Sequence, residues 1–418
     1  MAKLISFTVE RYRNFRLRSR FEIAPLTILI GRNGSGKSVL SRLPMLLSDS
    51  LHNGERDQPI KLVTWGVRHA IEYSDIPHMK TSRPFELGME VQDGGKTREF
   101  FAKIRYVKEN DRLVLESYSV TENGDQILQV LISDDDQLLK QRPTYKCVYR
   151  GADRTGEFSG FFGLMPAFTG NLNQEMKEVL EGFKSALPPV SYLGPFRTEI
   201  GHFIGSPRPD LEQIGVRGEN TVEIICDDTL RSSGDLLRSV SDWFEQAMSH
   251  KISVTKSGDY ARISLHPLEK ELVIALSETG AGFSQVLPIA VQNFFARSDR
   301  ATSKTLIVEQ PELHLHPAVH GEIADLYLST AKETSGATII ETHSEEIIMR
   351  LRRRIAEGLE SDFVQILSVG HSGSTDSPNG DVQKILFDSK GNPSDWPDGV
   401  FEESFRELAE IRAAARRQ

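Results

Sequence analysis

The apolar positions of the chain fall into two rhythms. Short unbroken runs, at Leu26 to Ile30, Leu306 to Val308 and Ala337 to Glu341, have the pattern of strands buried on both faces of a parallel sheet. Longer stretches have helical character, at residues 171 to 187, 317 to 333 and onward from about Ser284. A helix over 317–333 is long enough to carry a right-handed crossover, so the strands at 305–309 and 337–341 are expected to lie parallel in one sheet. Two more strands are expected near the start, at 3–9 and 20–24, and another over Glu271 to Leu276.

The middle of the chain is patterned differently. Strand-like runs such as "RLVLESYSV" and "DQILQVLI" precede the helical "NLNQEMKEVLEGFKSAL", and "GERDQP", "VQDGG", "TENGD" and "LPPVSYLGP" interrupt them. No heptad repeat is sustained, which excludes a long coiled coil and favours a folded accessory lobe. The expected organisation is a head in two parts, residues 1–50 and 191–418, with an accessory lobe over 51–190 that includes possible head strands.

Composition narrows the class only a little. The chain has 418 residues, with 50 Lys and Arg against 59 Asp and Glu, so its formal charge of −9 excludes an overall basic protein but leaves room for a local basic patch. Its two cysteines form no CxxC, which argues against a disulfide scaffold or a thiolate zinc site. The N-terminus lacks the apolar core of a signal peptide and no run reaches the length of a membrane span. The expectation is a cytoplasmic protein that does not enter the membrane.

The chemistry begins where the first buried strand ends. "GRNGSGKS" follows it and opens a helix, which is the G-x-x-x-x-G-K-[ST] pattern in the context it needs. Gly31, Gly34 and Gly36 let the backbone curl around phosphate, with Asn33 and Ser35 completing the loop. Lys37 is placed to reach the β and γ phosphates and Ser38 to ligate Mg²⁺, while the helix N-terminus favours the negative charge. ATP and Mg²⁺ are therefore the expected ligands.

A second glycine turn, "SETGAGFSQ", feeds the helix near Ser284 and offers Gly282, Ser284 and Gln285 to a phosphate. Farther on, "TLIVEQPELHLHP" ends its strand on Glu309 and Gln310. Glu309 suits a metal ion. Gln310 stands where a water-activating acid is common, and an amide orients water without accepting its proton. Either Gln310 only positions water while Glu312 or His343 assists proton transfer, or turnover is slow and ATP chiefly fastens an assembly.

The order of phosphate loop, "GAGFSQ", "LIVEQPELHLHP" and "IIETHSE" resembles the ABC-type ATPases of the chromosome-maintenance, RecF and overcoming-lysogenization-defect branch. With "YLGPFR" at 192–197 and "DWPDGVFEE" at 395–403, it is similar to the subgroup carrying the DUF3696 region, like the ATPase subunits of Septu-type antiphage defence. The resemblance implies an α/β P-loop ATPase head with an inserted accessory lobe in place of the long coiled coil. It makes Gly31 to Ser38 the Walker A loop, Gly280 to Gln285 a divergent signature, Glu309 and Gln310 the Walker B end, and His343 the switch histidine. It implies a homodimer with ATP sandwiched between heads, and an antiphage sensor or regulator acting with a separately encoded effector such as a nuclease. An attached Toprim nuclease is not expected in the roughly 75 residues that follow His343. A DNA repair or recombination ATPase and a non-hydrolysing, ATP-stabilised scaffold remain alternatives.

Two further features carry competing expectations. Arg350, Arg353 and Arg354 share one helix face, either as a strip for DNA or RNA phosphates or as a solvated face with acidic partners. His314 and His316 are expected to shape a loop, since no third metal ligand accompanies them.

Overall fold

The computed structural model describes residues 3–199, 201, 211–257, 260–370, 382–397 and 401. Of the 395–403 motif, Asp398 to Val400 and the acids at 402 and 403 lie outside the described residues.

The N-terminal strands β1 (Lys3–Glu10) and β2 (Ser19–Glu22) form a hairpin, and β3 (Leu26–Ile30) leads into helix α1 (Lys37–His52). An antiparallel meander follows: β4 (Phe85–Asp93), β5 (Lys96–Val107), β6 (Arg112–Glu122), β7 (Asp125–Ile132), β8 (Tyr145–Tyr149) and β9 (Ala152–Asp153). Its first strand pairs with β1, so one eight-stranded sheet runs in the order β9-β8-β7-β6-β5-β4-β1-β2. The segment between residues 51 and 190 thus contributes strands to the sheet that the N-terminus begins. Alternation places Leu87, Met89 and Val91 of β4 in the core, where Phe100 and Tyr118 stack on the same face. Two short strands, β10 (Phe158–Phe162) and β11 (Met165–Phe168), precede helix α2 (Gly170–Ala186).

A second sheet organises the rest. Strand β12 (Val190–Leu193) is its edge; helices α3 (Thr221–Arg231) and α4 (Asp235–Met248) follow. A separate antiparallel sheet then forms from β13 (His250–Ser257), β14 (Tyr260–Pro267) and β15 (Ile274–Ala275). Here the expected strand over 271–276 is corrected. Only Ile274 and Ala275 are extended, they pair antiparallel with β14, and a 3-10 turn takes Leu276 to Glu278. Leu272 and Val273 are exposed, so that apolar run is buried only at its end, at Ala275 and Leu276.

Helix α5 (Ala281–Arg297) starts three residues before Ser284. Strand β16 (Thr305–Glu309), helix α6 (Pro317–Glu333) and strand β17 (Thr338–Glu341) form the expected crossover, with the strands parallel and Glu309 opposite Glu341. Helix α7 (Glu345–Ala356), β18 (Val364–Val369) and β19 (Val382–Ile385) close the sheet in the order β12-β16-β17-β3-β18-β19.

The parallel sheet is buried from both sides. Leu26, Ile28, Ile30, Leu306 and Val308 face helices α3 to α7, whereas Leu29, Ile307 and Ile339 face α1 and the antiparallel sheet. That burial explains why its strands are continuous apolar runs rather than alternating ones. The longest helices, α2, α5 and α6, have 17 residues each, so no long coiled coil exists among the described residues. No helix among them is long and apolar enough to cross a membrane.

Candidate functional site

The site forms at the C-terminal ends of β3, β17 and β16. The loop after β3 depends on glycine at defined places. Gly31 has φ +142°, and a Cβ there would lie 2.4 Å from the carbonyl oxygen of Val369. Gly36 takes φ +107° as the N-cap of α1, with Phe15 packed against it. From the β1–β2 connection, Asn14 Nδ2 donates to the Gly34 carbonyl at 2.8 Å and braces the loop from outside. The Ser35 hydroxyl is buried with no hydrogen-bond partner in the structure, and Asn33 is exposed at the tip.

Lys37 is 4 % exposed, and its ammonium donates to the carbonyls of Gly31 and Arg32, both at 2.9 Å. Burial lowers its pKa, and the Glu341 charge opposes that shift. A desolvated ammonium held inside a glycine loop is suited to a phosphate, which replaces neutral carbonyl partners by charged oxygens.

Beside Lys37, the first turns of α1 meet two carboxylates. Ser38 Oγ donates to Glu341 Oε1 at 3.0 Å, and Ser41 Oγ lies 3.0 Å from Glu309 Oε1 and 3.3 Å from Glu341 Oε2. Arg42 grips both oxygens of Glu309, through Nε and Nη2 at 2.6 Å each. Burial works against the Arg42 charge, but the Glu309 contact outweighs it and raises the pKa. Glu341 is pushed up to about 7, first by burial and then by the Glu309 charge, with Ser38 and Lys37 opposing. Two hydroxyls and two carboxylates converge here, hard oxygen donors of the kind Mg²⁺ takes. They fit the cation, with Ser38 and Glu309 placed to hold it.

The turn after β16 is held in a fixed shape. Gln310 adopts φ +46°, uncommon for a residue with a Cβ. Its amide donates to the Glu341 carbonyl at 2.7 Å. Arg197 Nη2 donates to the carbonyls of Glu309 and Gln310 at 3.3 and 3.2 Å. Arg197 is 4 % exposed with no carboxylate hydrogen-bonded to it among the described residues, and burial pushes its pKa down to about 10. Glu312 accepts from the His343 backbone amide at 2.6 Å, and burial raises its pKa. His343 lies two residues beyond the end of β17, its imidazole pKa lowered by partial desolvation first and the Lys37 charge second.

The second glycine turn lies against the outgoing side of the same connection. A Cβ on Gly282 would meet the His314 carbonyl at 3.6 Å, an ordinary contact. Ser284 Oγ turns back to the Ala281 carbonyl at 2.9 Å. Gln285 is buried, with Nε2 3.5 Å from the Arg197 carbonyl, so its side chain lies within its own chain. His316 caps α6, its Nδ1 accepting from Ala318 N at 3.2 Å, which is the loop-shaping role expected of it. No cluster of three or more His, Cys, Asp or Glu able to hold a metal exists among the described residues.

The arginines of α7 are paired within the chain. Arg350 binds Asp325 and Glu322, Arg354 binds Asp325 and Glu357, and Arg353 binds Glu357. Phosphates would have to compete with these acids.

Several residues of the site were not singled out in the sequence. Arg42 lies four positions beyond Ser38 on α1, so helical spacing alone placed it on the same face. Glu341 carried a stronger cue, because "TIIE" ends in an acid as "LIVE" does. Arg197 was quoted only within a motif. A cavity of about 460 Å³ beside Ser38 is lined by Tyr12, Arg13, Arg42, Arg68 and His69, and nothing in the sequence joined these segments. Burial, then Arg42 and Arg13, push His69 down to about 4.

Comparison with known proteins agrees with this architecture. Residues 205–348 match the AAA ATPase domain family, a minority of the chain that leaves the loop of Gly31 to Ser38 outside the match. A crystal structure of an Smc head bound to the C-winged helix domain of ScpA is similar, with TM-score 0.50 and 13% identity over 92% of this chain and 97% of that one. The SMC head domain from Thermotoga maritima matches with TM-score 0.42 and 10% identity over 92% of this chain and 99% of that chain. No curated protein matches in sequence. The fold is that of an SMC-like, ABC-type P-loop ATPase head.

Proposed function

We propose that this head binds ATP with Mg²⁺ and hydrolyses it slowly, and that the nucleotide fastens two copies face to face. The observation that carries this is the convergence of Lys37, Ser38, Glu309 and Glu341 at the ends of adjacent parallel strands. Lys37 and the loop amides take the phosphates, and Ser38 and Glu309 take the cation. The basic cavity beside Ser38 gives room for more of the nucleotide.

Slow turnover follows from the turn at Gln310. The amide cannot take a proton, and its backbone is pinned by Glu341 and Arg197. Glu312 holds the His343 segment through Oε1, which leaves Oε2 as its only oxygen without a partner among the described residues. Pairing is supported by the second glycine turn, which is exposed at Gly280 and Ala281 where α5 begins and suits the nucleotide of a second copy.

The sequence motifs similar to DUF3696 proteins and Septu-type subunits support a regulatory role in antiphage defence, in the cytosol and with a separate effector. The similar Smc head bound to the C-winged helix domain of ScpA supports the idea that such a surface docks a protein partner. Light scattering with ATP and Mg²⁺, combined with phosphate release in the same samples, tests the central claim. A shift to twice the mass that decays as phosphate appears is expected; no nucleotide-dependent change in mass overturns the pairing.

A further inference from the structure

The acid absent from position 310 has a counterpart on the next strand. Glu341 ends β17 directly beside Glu309, in register with it and with Leu29 of β3. Both carboxylates face α1, because odd positions of β16 and β17 point to that side of the sheet. They are not equivalent. Glu309 has both oxygens on the Arg42 guanidinium, whereas the hydrogen bonds to Glu341 come from the hydroxyls of Ser38 and Ser41.

We propose that Glu341 is a direct carboxylate ligand of the divalent cation, sharing it with Ser38 and Glu309; this rests on the Mg²⁺·ATP assignment above. The separation of the donors is the first reason. Oxygens at adjacent corners of an octahedron with bonds of about 2.1 Å lie about 3.0 Å apart. Ser38 Oγ and Glu341 Oε1 are 3.0 Å apart, so one cation can accept both with little movement. Access is the second reason. A cation reaching Glu309 must share it with Arg42, while at Glu341 it only turns two hydroxyls away.

Charge is the third. Two carboxylates side by side at 2 % and 4 % exposure repel each other, and Arg42 neutralises only one of them directly. A divalent ion between them completes the balance. The chain therefore keeps a pair of acids at its strand ends, with the second displaced laterally from the turn to the neighbouring strand. In that position Glu341 holds metal rather than water.

Mn²⁺ is the probe, titrated into the full chain with a non-hydrolysable ATP analogue and followed by electron paramagnetic resonance of the free ion. Glu341→Gln is expected to weaken Mn²⁺ binding at least about tenfold, the low end even for an outer-shell partner. Metal-free nucleotide affinity and the melting temperature should stay near wild type. A Glu341→Cys variant separates ligation from mere support of Ser38, because a thiolate selects a soft ion. With Cd²⁺ and the analogue it should develop a thiolate-to-metal ultraviolet band that wild type lacks, its own Cys147 and Cys226 being buried. Unchanged Mn²⁺ affinity in Glu341→Gln, or Cd²⁺ bound by Glu341→Cys without the band, overturns the assignment. If wild type binds neither Mn²⁺ nor the analogue, the Mg²⁺·ATP assignment itself fails.

Discussion

Among the glycine-containing turns that open helices in this chain, those before α1 and α5 are built in opposite ways. In the loop before α1, Gly31, Gly34 and Gly36 all have positive φ, and the backbone of Val369 crowds Gly31. Before α5, Gly280 has φ −59° and a Cβ on it would meet nothing within 4 Å. The first turn needs glycine for its own shape, and its lysine, serine and acids come from one chain. The second does not need glycine for shape; its openness leaves backbone accessible to whatever docks there. Two glycine turns that look alike in sequence therefore differ in conformation.

Substitutions can break or sharpen this contrast. The largest effect is expected from Gly31→Ala, where the new Cβ meets a carbonyl oxygen at 2.4 Å in a backbone region that belongs to glycine. Destabilisation of at least about 3 kcal/mol is expected, measured as a loss of denaturation midpoint with unchanged slope. Lys37→Ala follows, since it removes the one ammonium of the cradle and leaves the fold intact. ATP affinity should fall about a hundredfold, roughly 2.7 kcal/mol, in a calorimetric titration with Mg²⁺. Unchanged affinity would mean that the loop is not the phosphate site.

Gln310→Glu is expected to speed single-turnover phosphate release about tenfold, about 1.4 kcal/mol of barrier, if water activation limits the rate. Rapid hydrolysis by wild type, slowed by the substitution at constant assembly, would reject the slow gate and turn attention to His343. The smallest effect on the fold is expected from Gly282→Ala, whose Cβ makes only ordinary contact in the first turn of α5. Stability should hold or rise by up to about 1 kcal/mol. ATP-dependent pairing, followed by light scattering, should weaken, because the turn proposed to dock loses the close backbone approach that glycine gives. Equal pairing would return this turn to an ordinary helix start.

Local periodicity was enough for the elements whose burial is uniform along their length. The helix Pro317–Glu333 and the strand Asp125–Ile132 have the bounds expected from pattern, because a helix stripe and an alternating strand are written residue by residue. The phosphate loop was legible for the same reason, since its glycines, lysine and serine act within eight consecutive residues. The apolar run at 271–276 misled because hydrophobicity does not state whether a partner surface exists, and here Leu272 and Val273 stay in solvent.

What the sequence determined by itself was thus the strand–loop–helix unit that takes phosphate, and the parallel pair that ends in Glu309 and Glu341. Tertiary structure decided which distant residues share that site. Glu341 reaches Ser38 across 303 positions, Arg42 closes on Glu309 across 267, and Arg197 pins the Gln310 turn from the loop after an edge strand. These contacts exist because a parallel sheet brings the C-terminal ends of strands into register regardless of how far apart they lie along the chain, and no local pattern encodes that register.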